Sequence, residues 1–183
     1  MSKENIVSEK LKSIINLINK NDFTEAETAL IKIVGEKDND FYPHQLLGIL
    51  YSKTGEFEKA KKHFENSIKI SPKNPGLYFD LGLMYQLLND DQKTLDCFLK
   101  VIELNPNIID AYLNIANIYD KQKKTVEANK FFQKALSLKK DYLPSNKAYS
   151  YFLIKHGQIT KGLSYQYKHL GIIQFNKENL KII

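Results

Sequence analysis

Arginine and tryptophan are absent from this 183-residue chain, cysteine occurs once, and no stretch approaches the roughly 18 consecutive apolar residues of a membrane span. Each absence narrows the reading. Planar, bidentate recognition of phosphate or of guanine edges relies on the arginine fork, so nucleic acid is not an expected partner. The single cysteine, Cys97, admits no intrachain disulfide and fits a reducing compartment, so a cytoplasmic location is expected. The first ten residues, MSKENIVSEK, lack a cationic start followed by an apolar run, and neither a signal peptide nor a membrane span is expected.

What is present describes an ordinary soluble protein, 43% hydrophobic and 26% charged, long enough for one domain or one short repeat array. All 27 basic residues are lysines and the net charge is +6. That charge is uneven. Residues 1–120 hold 14 Lys against 18 acidic residues, giving −4, while residues 121–183 hold 13 Lys against 3, giving +10. The basic end is a candidate for an anionic surface, nucleic acid or lipid, although no aromatic-basic motif accompanies it.

Sliding the sequence against itself by 34 residues settles its organisation. HQLLGILY (His44–Tyr51) falls on YFDLGLMY (Tyr78–Tyr85), which falls on YLNIANIY (Tyr112–Tyr119). The register continues through Ala60, Thr94 and Ala128, then Phe64, Phe98 and Phe132, then Ser67, Val101 and Ala135. Pro72 and Pro106 close two of the units, and Lys140 stands at that position in the third. This pattern of an aromatic, Leu-Gly, Tyr, Ala, Phe and Pro at fixed offsets resembles the tetratricopeptide repeat family. The resemblance covers residues 41–142, as units 41–74, 75–108 and 109–142. It implies an all-α fold, a right-handed superhelical solenoid of about five helix-turn-helix repeats.

The residues support helices independently of that resemblance. Tyr112, Ile115, Ala116 and Tyr119 make one apolar stripe, and Ala128, Phe132, Ala135 and Leu136 make another. A helix-interior glycine costs about 1 kcal/mol relative to alanine, so Gly48 and Gly82 need a reason. The expected one is close helix contact, with Gly48, Gly82 and Ala116 facing Ala60, Thr94 and Ala128. Pro43, Pro75 and Pro144 fall in expected first turns, Asn74 is placed to cap ahead of Pro75, and Gly55 and Gly157 fall between paired helices.

The phase extends to both ends. Residues 1–40 read as a divergent N-terminal capping repeat, with Leu17, Ala26, Leu30 and Ile33 in register and the polar Lys10 and Ser13 at otherwise apolar positions. Residues 143–183 read as a degenerate fifth repeat and a C-terminal tail. There Tyr149 and Leu153 keep register while Gly162 and Gln166 replace alanine and phenylalanine. Two isoleucine-rich runs flank Asn176–Asn179, a candidate hairpin, with a frayed helix or a partner-ordered tail as alternatives.

No catalytic constellation emerges, and no enzyme, cofactor or metal is expected. Gly157 and Gly162 have the spacing of a phosphate loop, but Leu163 stands where its lysine must be. His63 and Cys97 share a repeat position without the further ligands that structural zinc requires. His44, His156 and His169 are scattered, and no Ser, Cys or Thr has a recognisable base beside it.

Binding is what the resemblance implies instead, because first helices line the concave side of such arrays. The strip beside the core stripe reads Tyr42, Gln45, Ile49 and Ser52, then Gly76, Phe79, Leu83 and Gln86, then Asp110, Leu113, Asn117 and Asp120, and finally Pro144, Lys147, Tyr151 and Ile154. Aromatic and aliphatic groups alternating with amides suit a groove for a peptide. The candidate groove residues are Tyr42, Gln45, Ile49, Phe79, Leu83, Gln86, Leu113, Asn114, Asn117 and Tyr151. Repeats that hold chaperone tails carry Lys and Asn at positions occupied here by Gln45, Ile49, Asp80, Asp110 and Asn114, so that role is not expected. The position that repeats as Asn in peptide-backbone ladders reads Lys12, Leu46, Asp80, Asn114 and Ala148. A non-enzymatic scaffold binding a peptide or partner domain is the leading reading. The alternatives are an accessory subunit of a glycosyl- or sulfotransferase in another chain, and anionic-surface binding by the basic end.

Overall fold

In the computed structural model, which describes residues 3–36, 39–167, 173–175 and 180–182, ten helices among the described residues fall on the segments where the helical stripes run. They form five successive hairpins. α1 (Lys3–Lys20) pairs with α2 (Phe23–Glu36), α3 (Phe41–Thr54) with α4 (Phe57–Ile70), and α5 (Pro75–Leu87) with α6 (Asp91–Leu104). α7 (Ile109–Lys121) pairs with α8 (Thr125–Leu138), and α9 (Leu143–Lys155) with α10 (Ile159–Tyr167). In the tail, β1 (Ile173–Phe175) and β2 (Leu180–Ile182) run antiparallel with Ile173 opposite Ile182 and Phe175 opposite Leu180. The connecting residues of that candidate hairpin, 176–179, and His169 lie outside the described residues.

Every hairpin turns in the same way. Asn21, Gly55, Asn89, Lys123 and Gly157, spaced 34 apart, have φ of 66°, 81°, 58°, 61° and 79°. Behind each, the following amide donates back to the first helix: Asp22 to the Leu17 carbonyl at 2.9 Å, Glu56 to Tyr51 at 2.8 Å, Asp90 to Tyr85 at 3.0 Å, Lys124 to Tyr119 at 2.9 Å and Gln158 to Leu153 at 2.8 Å. A left-handed residue closed by this long-range bond is the Schellman ending of a helix, which satisfies carbonyls that would otherwise be orphaned. Helix starts are marked less uniformly. Asp40 and Asn74 accept from the amides of Tyr42 and Gly76, with Pro75 at the first helical position, whereas α7 and α9 start without a side-chain cap.

The second helices contribute small residues and rings. Ala26, Ala60, Thr94 and Ala128 are at most 1% exposed, and Phe64, Phe98 and Phe132 at most 2%. The glycine contacts correct the expected small-on-small packing. A Cβ on Gly48 would lie 2.6 Å from the Phe64 ring, and one on Gly82 3.2 Å from both the Phe98 ring and Cys97 Cβ. The glycine makes room for the phenylalanine. Side chains on a helix point back toward its N-terminus, so the Phe64 ring covers the turn that begins at Ala60.

Two compact units make up the chain, Met1–Leu104 and Asn105–Ile183. In the first, each helix packs on the next, and first helices also meet, α1 on α3 and α3 on α5. Its core joins Leu11, Ile14 and Ile18 of α1 to Leu47, Leu50, Phe64, Leu81 and Met84, while Lys10 and Ser13 face outward. In the second, α7, α8, α9 and α10 stack in order and α7 also meets α9. Gly157 closes the α9–α10 turn and Gly162 packs α10 on α9, so hairpin geometry accounts for both glycines of the loop-like motif.

Candidate partner-binding surface

Within Met1–Leu104, the face shared by α3 and α5 is built on side chains that the core leaves over. Leu83 is 38% exposed and Leu87, one turn later, 55%. Phe79 is half-buried, its ring edge-on to Phe98 at 5.3 Å, and Gln86 is exposed. Tyr42 and Ile49 are half-buried against the core. Gln45 has a defined partner: its Nε2 donates to Asp80 Oδ2 at 2.7 Å and ties α3 to α5. Burial pushes the Asp80 carboxyl up, and the Gln45 hydrogen bond only partly offsets this. Ser52 is turned inward on its helix, donating to the Gly48 carbonyl at 2.7 Å.

Within Asn105–Ile183 the corresponding face is more polar. Tyr151 is 71% exposed and Asn117 is exposed, whereas Leu113 is 8% exposed and belongs to the core. Asn114 donates from Nδ2 to the Asp110 carbonyl of its own helix at 2.8 Å. The Tyr142 hydroxyl donates to Asp110 Oδ1 at 3.1 Å. Asp120 is a junction: its two carboxylate oxygens meet Lys155 Nζ at 2.7 Å and His156 Nε2 at 2.6 Å. Burial works to raise the Asp120 carboxyl, but the Lys155 and His156 hydrogen bonds outweigh it and hold it below the usual carboxylate range.

These faces offer apolar contact and amide hydrogen bonds. Among the described residues, no three His, Cys, Asp or Glu side chains converge as metal ligands would, and no helix is long and apolar enough to cross a membrane. His63 and Cys97 sit in separate aromatic settings, the former with its Nδ1 3.0 Å from that of His44. Leu87 is the residue that sequence reasoning missed. Its repeat position is polar elsewhere, as Asn19, Lys53, Lys121 and Lys155, so a lone leucine there is the available signal.

Tetratricopeptide-repeat profiles match residues 41–74, 75–108 and 97–128. Among curated proteins, the chain is 27% identical over 143 residues to human protein O-mannosyl-transferase TMTC1, covering 76% of this chain and 16% of that protein. The chain spans no more than 24% of the length of the leading curated relatives. Among solved structures, MamA from Desulfovibrio magneticus superposes with a TM-score of 0.77 at 16% identity, covering 90% of this chain and 93% of that one. PilF from Pseudomonas aeruginosa gives 0.77 at 14% identity, covering 86% and 72%. At these identities the two structures speak for the fold.

Proposed function

The chain is a tetratricopeptide repeat protein, and from that premise we propose that it is a non-catalytic scaffold holding a peptide segment or partner domain on the first-helix face of its repeats. One observation carries the proposal: Leu83 and Leu87 stand exposed at 38% and 55% one helical turn apart, beside Phe79. Apolar pairs at that spacing suit the anchor side chains of an extended or helical segment. Tyr42, Gln45, Ile49 and Gln86 frame this strip, and Asn114, Asn117 and Tyr151 supply a more polar contact on the second unit.

Replacing both Leu83 and Leu87 with serine tests the reading, because neither side chain is needed by the core. Proteins captured from native lysate by the wild-type chain should be lost from the double variant, with circular dichroism and melting unchanged. Capture that survives both substitutions removes the face from consideration. Phe79 is less suited to this test because its ring also packs on Phe98.

A second reading is favoured by the match to a protein named as an O-mannosyl-transferase. In it, the chain serves as an accessory arm of a glycosyl-transferring enzyme supplied by another chain. Copurification of a catalytic polypeptide whose activity changes on removal of this one distinguishes it from a plain scaffold.

A further inference from the structure

His63, Cys97, Phe131 and Tyr165 occupy one position on successive second helices. Three of the four are rings, and each packs on aromatic groups of its own hairpin. The His63 ring lies 5.2 Å from His44 and 5.5 Å from Tyr51, centroid to centroid. Phe131 lies 6.3 Å from Tyr112 and 5.4 Å from Tyr119, and Tyr165 lies 4.9 Å from Tyr149. His44, Tyr78 and Tyr112 share one first-helix position, and Tyr51, Tyr85 and Tyr119 share another. In the α3–α4 and α7–α8 hairpins, therefore, a ring is seated against the same two flanking aromatics. The α5–α6 hairpin keeps both flanking tyrosines and replaces the seated ring with a thiol. At that place there is a cavity of about 320 Å³ whose walls include Ile68, Tyr78, Leu81, Tyr85 and Cys97.

We propose that this cavity is a socket for one neutral aromatic side chain presented by a partner polypeptide. Its volume stands at the low end of the roughly 300–1,000 Å³ typical of ligand pockets, enough for a single substituted ring. Aromaticity is indicated by the neighbouring hairpins, where the chain's own His and Phe rings hold the equivalent seat. Tyrosine faces and edges reward offset or edge-on ring packing, and sulfur at a ring edge adds a favourable contact.

Neutrality follows from the uncharged walls of Ile68, Tyr78, Leu81, Tyr85 and Cys97 and from the two lysines at the cavity, each of which already faces a carboxylate. Lys93 pairs with Asp90 at 3.2 Å and Lys100 with Glu103 at 2.6 Å. Asp96 accepts from Gln92 at 2.9 Å, and Glu65 accepts from the Tyr85 hydroxyl at 3.3 Å. Burial, with Asp96 and Asp90 adding to it, pushes the Cys97 thiol up to about 12. The thiol therefore lines the socket as an apolar group and attacks nothing at neutral pH. The socket is distinct from the strip of Leu83 and Leu87, so each can fail alone.

The test titrates the full chain with N-acetyl-phenylalanine amide, N-acetyl-leucine amide and toluene, following the methyl resonances of Ile68 and Leu81. The phenylalanine amide should give saturable shifts, with the leucine amide at least about threefold weaker. Cys97→Phe, which supplies the missing ring from within, should abolish those shifts and raise the melting temperature. Should that variant not fold, the wild-type thiol, the sole one in the chain, still reports: the phenylalanine amide should slow its alkylation by iodoacetamide at alkaline pH, and the leucine amide should not. Equal binding of the two amides overturns the proposal, as do shifts that persist in Cys97→Phe, or an absence of both shifts and protection. Binding of toluene but not of the phenylalanine amide overturns the polypeptide assignment in favour of a free small ring.

Discussion

In Met1–Leu104 the missing side chain sits on the first helix of each of two hairpins, as Gly48 and Gly82, whereas in Asn105–Ile183 that position holds Ala116 and Ser150. In the last hairpin the glycine has crossed to the second helix as Gly162, opposite a first helix that carries Ser150. The constraint therefore belongs to the gap between paired helices and not to either residue alone. Where the ring of Phe64 or Phe98 leans on the first helix, the first yields to glycine, whereas Phe132, whose ring packs on Tyr149 and Phe152, leaves room for the single methyl of Ala116. Where Gln166 takes that ring's register position, the second helix itself can yield.

The sharpest way to break this comparison is to return a methyl group to each glycine. Gly162→Ala should cost most, about 2 kcal/mol, because the new Cβ would lie 2.5 Å from Ile154 Cγ1 and 2.9 Å from the Ser150 carbonyl oxygen, and the backbone oxygen has little freedom to move. Hydrogen exchange should speed up in α9 and α10 while the first unit is unaffected. Gly48→Ala meets the Phe64 ring at 2.6 Å and should cost about 1 kcal/mol net of the helix propensity gained. Gly82→Ala meets Phe98 at 3.2 Å and should fall within about 0.5 kcal/mol of neutral. Equal costs at Gly48 and Gly82 in denaturant melts would show that ring proximity is not what the glycines serve.

A second contrast concerns acid. The seat occupied by Phe131 in the second unit holds His63 in the first, where burial, His44 and Lys62 together lower its pKa from 6.5 to about 4. Above about 6.5 the imidazole is neutral in both folded and unfolded chains and costs nothing. As the pH falls from there toward about 4, only the unfolded chain takes up the proton, so stability is lost across that window and levels off below it. The His63→Phe variant should show a flatter fall in melting temperature between pH 7 and pH 4.5 than the wild type, whatever its absolute stability. The same slope in both would place the acid sensitivity elsewhere.

Much of this was legible in the sequence because the 34-residue period is written in side-chain size, which survives changes of residue type. The hairpins, the Asn74 cap and the Gly55 and Gly157 turns follow from it directly. What the sequence hid is geometry that depends on reach. Repeat register sets Gly48 against Ala60, although the occupant is the ring of Phe64 leaning back one turn. The offset of Leu113 sets it on the binding face, yet it is buried, and Gln45 shares that face although Asp80 engages it. Both outcomes depend on how closely neighbouring first helices approach, which no single unit of the repeat encodes.

The turns differ too, at the first hairpin of the second unit. Asn21, Gly55 and Asn89 fill the left-handed position in the first unit and Gly157 in the last hairpin, residues that tolerate positive φ, while Lys123 holds it between α7 and α8 at φ 61°. Nothing local favours lysine there. The hydrogen bonds that the Lys123 amide donates to the Asp120 carbonyl at 3.0 Å and the Lys124 amide to that of Tyr119 at 2.9 Å impose the conformation. Lys123→Gly should therefore stabilise the chain by about 0.5–1 kcal/mol, the relief of left-handed strain less the added freedom of glycine in the unfolded chain. The matching Gly55→Lys should destabilise by a similar amount. If both substitutions shift the urea midpoint the same way, the turn conformation does not set the difference between the two turns.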